Sequence, residues 1–429
     1  MTTVIQSVKG TRDFYPEEKF VLSWLSAKIR KVSEAFGYQE YDGPYLETIE
    51  LYAAKSGEEL VKEQSFVFED RGGNLVTLRP ELTPTLVRMV AQRQNQLTFP
   101  LRWWSFGPFW RYERPQKGRS REFYQWNIDL VGVGTPEGDA ELAAVIATFF
   151  KEVGLTSQDV AILVNNRRLL DGELGQLNIP PGLRSEVFRL IDRRGKMVAA
   201  RWEIDAREVG LSDNQIIGLT ALLANTQLWK QSEELQRFFA AVDALGVDDY
   251  VQYAPDVIRG LDYYTGIVFE AYDRKNTVRR SILGGGRYDN LMAEVGGDPL
   301  PGVGFAMGDM VITLILDKFG LLPKNTGETP APVFITTFDW EYILSSFALA
   351  AEIRQAGFKV ACYPQEDNLT RQFKYADRIG SRVAIVLGPD EIKENLVSLK
   401  DLRSGQQRTI PRKFLVDELQ QILAPEAPP

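Results

Sequence analysis

Hydrophobic positions in the first part of the chain alternate between helix-like and strand-like spacing. Apolar residues from Val21 to Phe36 recur near a 3.6-residue period, which predicts an amphipathic helix over 16–36. Pro16 suits the first position of this helix, and Gly37 suits its end. The pattern then predicts an extended segment at 38–44, a hairpin over 65–79, a helix at 84–94, a hairpin formed by 101–110 and 123–133, a helix at 139–153 and a strand at 160–164.

The pattern changes between about residues 168 and 245. This stretch is charged and helical in character and contains no strand-like run. It predicts a helical module inserted between two sheet-forming halves, with most of its charge on solvated faces. Strand-like sequence resumes over 257–272, and a helix is predicted over 309–318.

The last third of the chain has a different organisation. Residues 319–332 are rich in proline, glycine and polar residues, which is typical of a linker. Beyond them, strand-like and helix-like segments alternate as β-α-β-α-β-α-β from Val333 to Asp401. Such alternation predicts a small parallel or mixed α/β domain.

Composition narrows the class of protein. A chain of 429 residues is long enough for two or three domains, and none of its apolar runs approaches the roughly 20 residues of a membrane span. The N-terminus lacks the apolar core of a secretory signal, and Cys362 is the only cysteine, so we expect a cytoplasmic protein without disulfides or a cysteine-based zinc site. Histidine is absent, which excludes Ser–His–Asp and Cys–His catalysis and leaves acid–base steps to carboxylates, tyrosines or the substrate.

The net charge of −8 does not favour general nucleic-acid binding, but one local stretch is strongly basic. It lies between the strands of the second predicted hairpin, where Pro115 and Gly118 prevent a helix and leave a long loop. Guanidinium groups hold phosphate oxygens in bidentate geometry, so the loop is a candidate polyphosphate site, and a solvated surface turn is the alternative. Its basic residues are Arg111, Arg114, Lys117, Arg119 and Arg121.

Glu81 and Thr83 lie at a predicted junction between a strand and a helix. Side chains at such junctions tend to point into clefts, which makes both residues candidate ligands. The alternative is structural, with Thr83 as the helix N-cap and Pro84 in the first helical position. The sequence leaves both roles open.

Two further motifs follow the helical module. Arg259, Asp262, Tyr263 and Tyr264 crowd a short turn between apolar runs. Gly284–Gly286 is either a place where the backbone approaches a ligand closely or a tight turn. It is not a phosphate-binding loop of the Walker type, because no Gly-Lys-Ser/Thr follows.

Taken together and in this order, these motifs resemble those of histidyl-tRNA synthetase, a class II aminoacyl-tRNA synthetase. The likeness covers nearly the full chain, and the R-G-L-D-Y-Y element is peculiar to that family. The motifs are K-G-T-R-D at 9–13, R-P-E-L-T at 79–83, R-Y-E-R-P-Q-K-G-R-S-R-E-F-Y-Q at 111–125, R-G-L-D-Y-Y-T-G at 259–266, G-G-G-R-Y-D at 284–289, Q-F-K-Y-A-D at 372–377 and K-D-L-R-S-G-Q at 400–406.

The resemblance implies an α+β catalytic domain built on an antiparallel sheet with a helical insertion, followed by a C-terminal α/β anticodon-binding domain. It implies ligation of L-histidine to tRNA(His) through a histidyl-adenylate, with ATP as a substrate, Mg²⁺, a homodimer and no membrane partner. The implied ranges are 1–167 and 251–320 for the catalytic core, 168–250 for the insertion, 321–332 for the linker and 333–429 for the anticodon-binding domain.

The resemblance also implies roles for individual residues. Arg111 would bridge the amino-acid carboxylate and the α-phosphate of ATP, with Arg259 as a second positive charge. The C-terminal domain would contact the anticodon. The other implied contacts are Glu81, Thr83 and Gln125 with the α-amino group; Asp129 and Tyr264, beside Tyr263, with the imidazole; Glu113 and Phe123 with adenine; Arg119 and Arg121 with the phosphates; and Gln116 with the tRNA acceptor end.

The chain departs from the family pattern in two places. The helix after Gly308 usually carries an arginine that binds the γ-phosphate, whereas Val311 and its neighbours supply none. One hypothesis is that Arg119 or Arg287 replaces it, and the competing expectation is weak ATP affinity with intact chemistry. Leu82 stands where many members have glycine.

Two inactive proteins are the alternatives to a ligase. One is a synthetase-like regulatory subunit of ATP phosphoribosyltransferase, which shares the core but lacks the anticodon domain. The other is a sensing module that binds histidine or tRNA without turnover. Retention of 333–411 and of both Arg111 and Arg259 favours the enzyme.

Overall fold

The chain divides into two compact units, Met1–Pro323 and Lys324–Pro429. The boundary falls in the segment that the sequence predicts as a linker, of which residues 324–328 lie outside the described residues. Within the described ranges, no helix combines the length and the apolar character needed to cross a membrane. The computed structural model describes residues 4–53, 64–259, 263–275, 277–278, 280–323 and 329–424.

The first unit mixes strands and helices along its whole length. Its first elements are α1 (Pro16–Ala35), β1 (Gln39–Glu40), β2 (Leu46–Thr48), α2 (Ile49–Ala53), β3 (Phe66–Glu69), β4 (Leu75–Leu78), α3 (Thr83–Arg93), β5 (Leu101–Trp110), β6 (Glu122–Val131), α4 (Pro136–Glu152) and β7 (Val160–Asn166). They are followed by α5 (Arg167–Gln176), α6 (Pro181–Arg193), α7 (Ala199–Glu208), α8 (Asp213–Ala224), α9 (Glu233–Ala244), β8 (Val251–Tyr253), β9 (Ile267–Asp273), β10 (Leu283–Tyr288), α10 (Leu291–Glu294), β11 (Gly302–Gly308) and α11 (Asp309–Lys318).

A large sheet forms the centre of this unit. In the described part, its strand order is β1-β5-β6-β11-β10-β9-β7-β8, and β2-β4-β3 form a smaller sheet. In this order, the adjacent pairs from β5 through β6, β11, β10 and β9 to β7 are all antiparallel. The edge strand β1 pairs in parallel with β5, and the edge strand β8 pairs in parallel with β7. The antiparallel sheet expected for the α+β catalytic domain is therefore confirmed.

The hairpin of β5 and β6 lies next to the edge strand β1, as the second and third of the eight strands, and carries the basic loop. Its ten-residue strands pair from Leu101 opposite Val131 to Trp110 opposite Glu122. Successive side chains of a strand point to opposite faces. Trp126 packs into the core with its ring centroid 5.2 Å from that of Phe149 on α4, so the polar residues on either side of Trp126 face the other way. The hairpin predicted from two apolar runs is confirmed.

The helices α5 to α9 occupy the stretch predicted to be helical. Asn166 caps α5 by accepting from the backbone N–H of Arg168 at 2.8 Å, and Ser212 forms a capping box with Gln215 at the start of α8. Leu174, Phe238 and other apolar residues of these helices share one hydrophobic core with α4. The helical character is confirmed, and the division of the chain at 168 and 250 stays a prediction.

The sequence predicts strand-like runs within 257–272 around a short turn that includes Arg259. In the described residues the strand of this stretch, β9, begins at Ile267, and Arg259 has a φ of 62°, which suits a turn and not extended backbone. Of the two alternatives left open for Gly284–Gly286, the tight turn is wrong, because these residues lie inside β10 between β9 and β11. The predicted extended segment 38–44 contains only the two-residue strand β1.

The second unit is a small α/β domain with its own hydrophobic core. Its sheet has the order β13-β12-β14-β15-β16, in which the first three strands are parallel and the last two pair antiparallel. The mixed α/β prediction is confirmed, although β16 and α15 were not anticipated. The elements are β12 (Val333–Ile335), α12 (Ile343–Gln355), β13 (Val360–Cys362), α13 (Leu369–Arg378), β14 (Val383–Val386), α14 (Pro389–Glu394), β15 (Leu396–Asp401), β16 (Gln407–Pro411) and α15 (Leu415–Leu423).

Candidate active site

A polar cavity of about 110 Å³ opens on the face of the large sheet that is opposite α4. It gathers side chains from β6, β10 and β11, from the start of α3 and from the segments next to β5 and β9. All eight residues that the sequence associated with histidine binding lie around it. The lining residues are Glu81, Thr83, Arg111, Gln125, Asn127, Asp129, Arg259, Tyr263, Tyr264, Gly284, Tyr288, Gly304, Phe305 and Ala306.

Strand β6 supplies one wall of the cavity. Gln125, Asn127 and Asp129 alternate along it and share one face because the side-chain period of a strand is two. The amide N–H of Asn127 donates to Oε1 of Gln125 at 3.3 Å. Asn127 was not predicted from the sequence, although its position midway between two predicted ligands on one strand would have identified it.

Asp129 is the acidic residue of this wall, and it is buried. Its carboxylate accepts a hydrogen bond from the hydroxyl of Tyr288 at 2.6 Å. Burial raises the pKa of Asp129 to about 7, and the Tyr288 hydrogen bond opposes this rise. A Cβ at Gly304, opposite Asp129 on β11, would lie 2.0 Å from Oδ1 of Asp129, so the carboxylate occupies space that only glycine leaves free.

Arg111 follows the end of β5 and points back over the sheet. Its Nε donates to the carbonyl oxygen of Pro80 at 3.0 Å, and its guanidinium lies 5.4 Å from the ring centre of Phe123. Burial lowers the pKa of Arg111, an effect only partly offset by the carboxylate of Glu81. The described residues provide no ion-pair partner for Arg111, so its charge is available to an anion in the cavity.

Arg259 reaches the same cavity from the other half of the sheet. It is held by an ion pair with Glu270 on β9, which also accepts from the hydroxyl of Tyr272 at 2.6 Å. Burial acts to lower the pKa of Arg259, but the Glu270 carboxylate more than compensates, so the pKa is raised. A Cβ at Gly284 would lie 2.2 Å from Nη1 of Arg259, which explains why a glycine stands there.

The backbone of Arg259 has a φ of 62°, in the left-handed region that non-glycine residues rarely occupy. Such strain tends to be kept where a side chain must be aimed. Asp262, which the sequence placed in the same turn, lies outside the described residues.

Tyr263 and Tyr264 stand together beside Arg259, with ring centroids 4.8 Å apart. Burial is the main cause that raises the pKa of both phenols. They are therefore neutral at physiological pH and can donate hydrogen bonds to a ligand.

Glu81 and Thr83 enter the cavity where β4 gives way to α3. Helix α3 begins at Thr83 itself, and its N-cap is Leu82, which makes no side-chain capping bond. Thr83 therefore does not hold the cap position that the structural alternative required, and it lines the cavity instead. Leu82, which departs from the family glycine, is buried.

The residues implied for ATP and tRNA lie on the loop between β5 and β6. Gln116 and Arg119 exchange backbone hydrogen bonds that close a turn around Lys117 and Gly118. The guanidinium of Arg119 forms an ion pair with Glu113. The guanidinium of Arg121 lies 4.0 Å from the ring centre of Tyr112. Arg111, at the start of this loop, lines the cavity, but the other residues of the loop do not.

Phe123, implied as the adenine-stacking residue, sits between the cavity and the loop. One neighbour is Arg111, and another is Phe109, whose ring is stacked on that of Phe123 with centroids 6.0 Å apart. These contacts hold the Phe123 ring in place at the base of the loop.

Arg287 is buried and does not line the cavity. Its guanidinium donates to Oδ2 of Asp139 at 2.8 and 3.1 Å and to the carbonyl oxygens of Val133 and Thr135. The hypothesis that Arg287 replaces the missing arginine is therefore wrong. Its pairing anchors β10 to α4 and so positions the adjacent Tyr288, which the sequence did not identify as a site residue.

The described residues contain no group of three or more carboxylate or thiol side chains arranged to hold a metal ion. Among these residues, we therefore assign no ligand for the Mg²⁺ that the sequence resemblance implies.

Comparisons with known proteins identify the family of this chain. The family described as Histidyl-tRNA synthetase matches residues 10–310, and the one described as Anticodon binding domain matches 333–422. The chloroplastic/mitochondrial histidine–tRNA ligase of Arabidopsis thaliana is 38% identical over 409 residues, which cover 93% of this chain and 83% of that protein. The histidine–tRNA ligase of Haloarcula marismortui is 36% identical over 423 residues, which cover 94% of this chain and 95% of that protein.

A solved structure extends the likeness to the whole fold. The crystal structure of histidyl-tRNA synthetase from Nostoc sp. PCC 7120 superposes with a TM-score of 0.78 at 27% identity, and the match covers 98% of this chain and all of that one (100%).

Proposed function

The chain belongs to the histidyl-tRNA synthetase family, and we propose that its polar cavity is where L-histidine reacts with ATP to form histidyl-adenylate, before the histidyl group passes to tRNA(His). The enzyme is a histidine–tRNA ligase. The observation that carries the proposal is the meeting of two buried guanidiniums, from Arg111 and Arg259, in one cavity beside Asp129 and two neutral phenols.

The first step brings two negative groups together. A carboxylate oxygen of histidine attacks the α-phosphorus of ATP, the bond from that phosphorus to the pyrophosphate oxygen breaks, and pyrophosphate leaves with the electron pair. Arg111 and Arg259 supply positive charge where the negative charge concentrates, and because they are fixed in advance little reorganisation is needed. The substrate carboxylate is already ionised at neutral pH, so this step needs no general base, in agreement with a chain that contains no histidine.

The rest of the cavity suits the amino acid. In the proposal, the α-ammonium group binds Glu81, Thr83 and Gln125, which lie on the α3 side of the cavity and on β6. The imidazole lies between Asp129 and Tyr264, with Tyr263 beside it, so that a carboxylate and a phenol satisfy its two nitrogens. A buried polar site of this kind rejects amino acids that leave its groups unpaired.

The nucleotide lies along the basic loop. Glu113 binds the adenine edge, Phe123 stacks on the ring, and Arg119 and Arg121 contact the phosphates of MgATP. Arg119 and Glu113 form an ion pair with each other, and in this arrangement the pair separates when ATP binds. Gln116, at the turn of the same loop, meets the acceptor end of the tRNA.

The second unit binds the anticodon of tRNA(His), in keeping with its match to an anticodon-binding domain. A homodimer and a cytoplasmic location stay predictions. Neither inactive alternative is favoured by an observation, since the anticodon-binding unit is present and both arginines reach the cavity.

Histidine-dependent exchange between ATP and pyrophosphate tests the proposal. The wild type should catalyse it only with L-histidine, and Arg259→Ala should lower it by at least about 100-fold, the usual effect of removing a charge-stabilising group. Arg201→Ala, which removes an exposed arginine of α7, is the matched control and should leave the rate unchanged. Exchange that does not need histidine, or that survives in Arg259→Ala, would contradict the assignment.

A further inference from the structure

A cationic side chain outside the cavity has no assigned role. Arg280 lies between β9 and β10 and is half-buried. Its Nη1 donates to the carbonyl oxygen of Gly118, at the turn of the basic loop, over a long distance of 3.4 Å. A Cβ placed on Gly118 would have Cδ of Arg280 at 4.0 Å and Cγ2 of Val311 at 3.9 Å. Arg280 and the first turn of α11 therefore both approach Gly118 of the loop.

The charge of Arg280 is not paired with an opposite charge in the part of the chain that the structure describes. Among the described residues, no carboxylate forms an ion pair with Arg280, whereas Arg119 is paired with Glu113 and Arg259 with Glu270. The acid that begins α11, Asp309, is bound by Arg12 at 2.8 Å.

The surroundings of Arg280 are unfavourable for a cation. Burial lowers the pKa of Arg280, the positive charge of Arg119 lowers it further, and Glu113 offsets this only in part. Arg119 and Glu113 act in the same way on the pKa of Arg111. Arg119 is therefore close enough to influence both Arg111, at the cavity, and Arg280, at the turn of the loop.

Partly buried groups of like charge repel one another with little screening, and an anion long enough to contact several of them relieves this repulsion. A triphosphate is an anion of this kind. If its α-phosphate lies between Arg111 and Arg259, its terminal phosphates continue along the loop toward Arg280.

We propose that Arg280 binds the terminal phosphates of ATP, and the pyrophosphate that leaves, in the place where Val311 supplies no charge. This proposal rests on the adenylation proposed above. The side chain comes from the β9–β10 connection rather than from α11, but both approach the same glycine of the loop. In the transition state, negative charge grows on the departing pyrophosphate, so Arg280 assists both binding and bond cleavage.

The test compares Arg280→Gln and Arg280→Lys with the wild type in histidine-dependent ATP–pyrophosphate exchange. Loss of a charge-assisted contact should raise KM for ATP by about 10- to 100-fold in Arg280→Gln, and Lys should recover part of the loss. KM for histidine should stay within about twofold, because the cavity is untouched. Lys275→Gln, on the same connection but paired with Asp159, is the matched control and should behave as the wild type.

A second-site variant tests the position independently. Val311→Arg in the Arg280→Gln background should restore much of the ATP affinity, because both side chains approach Gly118. An unchanged KM for ATP in Arg280→Gln would overturn the proposal, and so would an absence of rescue by Val311→Arg in a variant that keeps its thermal unfolding midpoint. If the wild type itself showed no exchange, the adenylation proposal would fail instead, so the two failures are distinguishable.

Discussion

The hydrogen bond between Tyr288 and Asp129 offers a sharp test of how the site reads imidazole. The Tyr288→Phe variant removes one hydroxyl and keeps the ring in its buried place between Tyr263 and the β10 backbone. That hydroxyl donates to Asp129 at 2.6 Å and stabilises the ionised carboxylate. Since the hydroxyl opposes the rise in the pKa of Asp129 to about 7, its loss should raise that pKa further.

The size of the effect follows from these values. A hydrogen bond to a charged group contributes about 1.5–3 kcal/mol, and about 1.36 kcal/mol corresponds to one pKa unit, so the pKa of Asp129 should rise to between about 8 and 9. At about pH 7.5, the ionised fraction would fall from roughly 75% to between about 25% and 3%. If the carboxylate must accept from an imidazole N–H, kcat/KM for histidine should fall by about 3- to 25-fold.

The decisive feature is the pH dependence. The pKa is raised, so the deficit should be large near neutral pH and should shrink as rising pH ionises the carboxylate, to less than about twofold at about pH 9. The assay is ATP–pyrophosphate exchange under limiting histidine, with each variant divided by the wild type at the same pH so that titration of the substrate cancels.

Tyr253→Phe is the matched control, because the Tyr253 hydroxyl is buried on β8 without a hydrogen-bond partner in the described structure. It should show no deficit at any pH. A Tyr288→Phe deficit that is the same at every pH, or no deficit at all, would refute the idea that ionised Asp129 reads the imidazole.

Two other predictions follow from the same structure. Gly284→Ala should lower exchange as much as Arg259→Ala, because the new Cβ would lie 2.2 Å from Nη1 of Arg259. Gly308→Ala is the control and should be neutral, because a Cβ there meets no atom within 4 Å. Equal activity of the two glycine variants in the exchange assay would contradict the tight fit at Gly284. In the second unit, Trp340 lies in the segment after β12 and is 70% exposed, so it can stack on an unpaired base of the tRNA. Trp340→Ala should therefore raise KM for tRNA by about 5- to 100-fold and leave ATP–pyrophosphate exchange unchanged. Phe414→Ala, which removes another exposed aromatic residue of that unit, is its control, and equal KM values for tRNA in aminoacylation assays would argue against stacking by Trp340.

Local patterns were sufficient for most of the secondary structure. Helix α11 has the predicted bounds, and α3, β5 and β6 differ from prediction by at most two residues at either end. The strand β16 was not predicted, because its sequence, Gln-Arg-Thr-Ile-Pro, is mostly polar and exposed. It forms a strand through its pairing with β15. The turn predicted at Arg259 agrees with its φ of 62°, although the pattern could not show that this residue adopts the left-handed region.

The sequence by itself determined which chemical groups are available and which family they resemble. The resemblance of its ordered motifs to that family indicated all eight residues proposed for histidine binding, and all eight line the cavity. The absence of histidine likewise excluded whole classes of catalysis.

Only the tertiary structure decided how those groups are used. Arg287 and Asp139 are 148 residues apart in the chain, yet their contact holds Arg287 away from the cavity. Arg280 and Gly118 are 162 residues apart, and their contact brings another cation to the basic loop. Tyr288 reaches Asp129 from 159 residues away, and the glycines opposite Asp129 and Arg259 leave them room. Such pairings depend on which strands lie side by side in the sheet, and hydrophobic periodicity reports the face of a strand but not its neighbour.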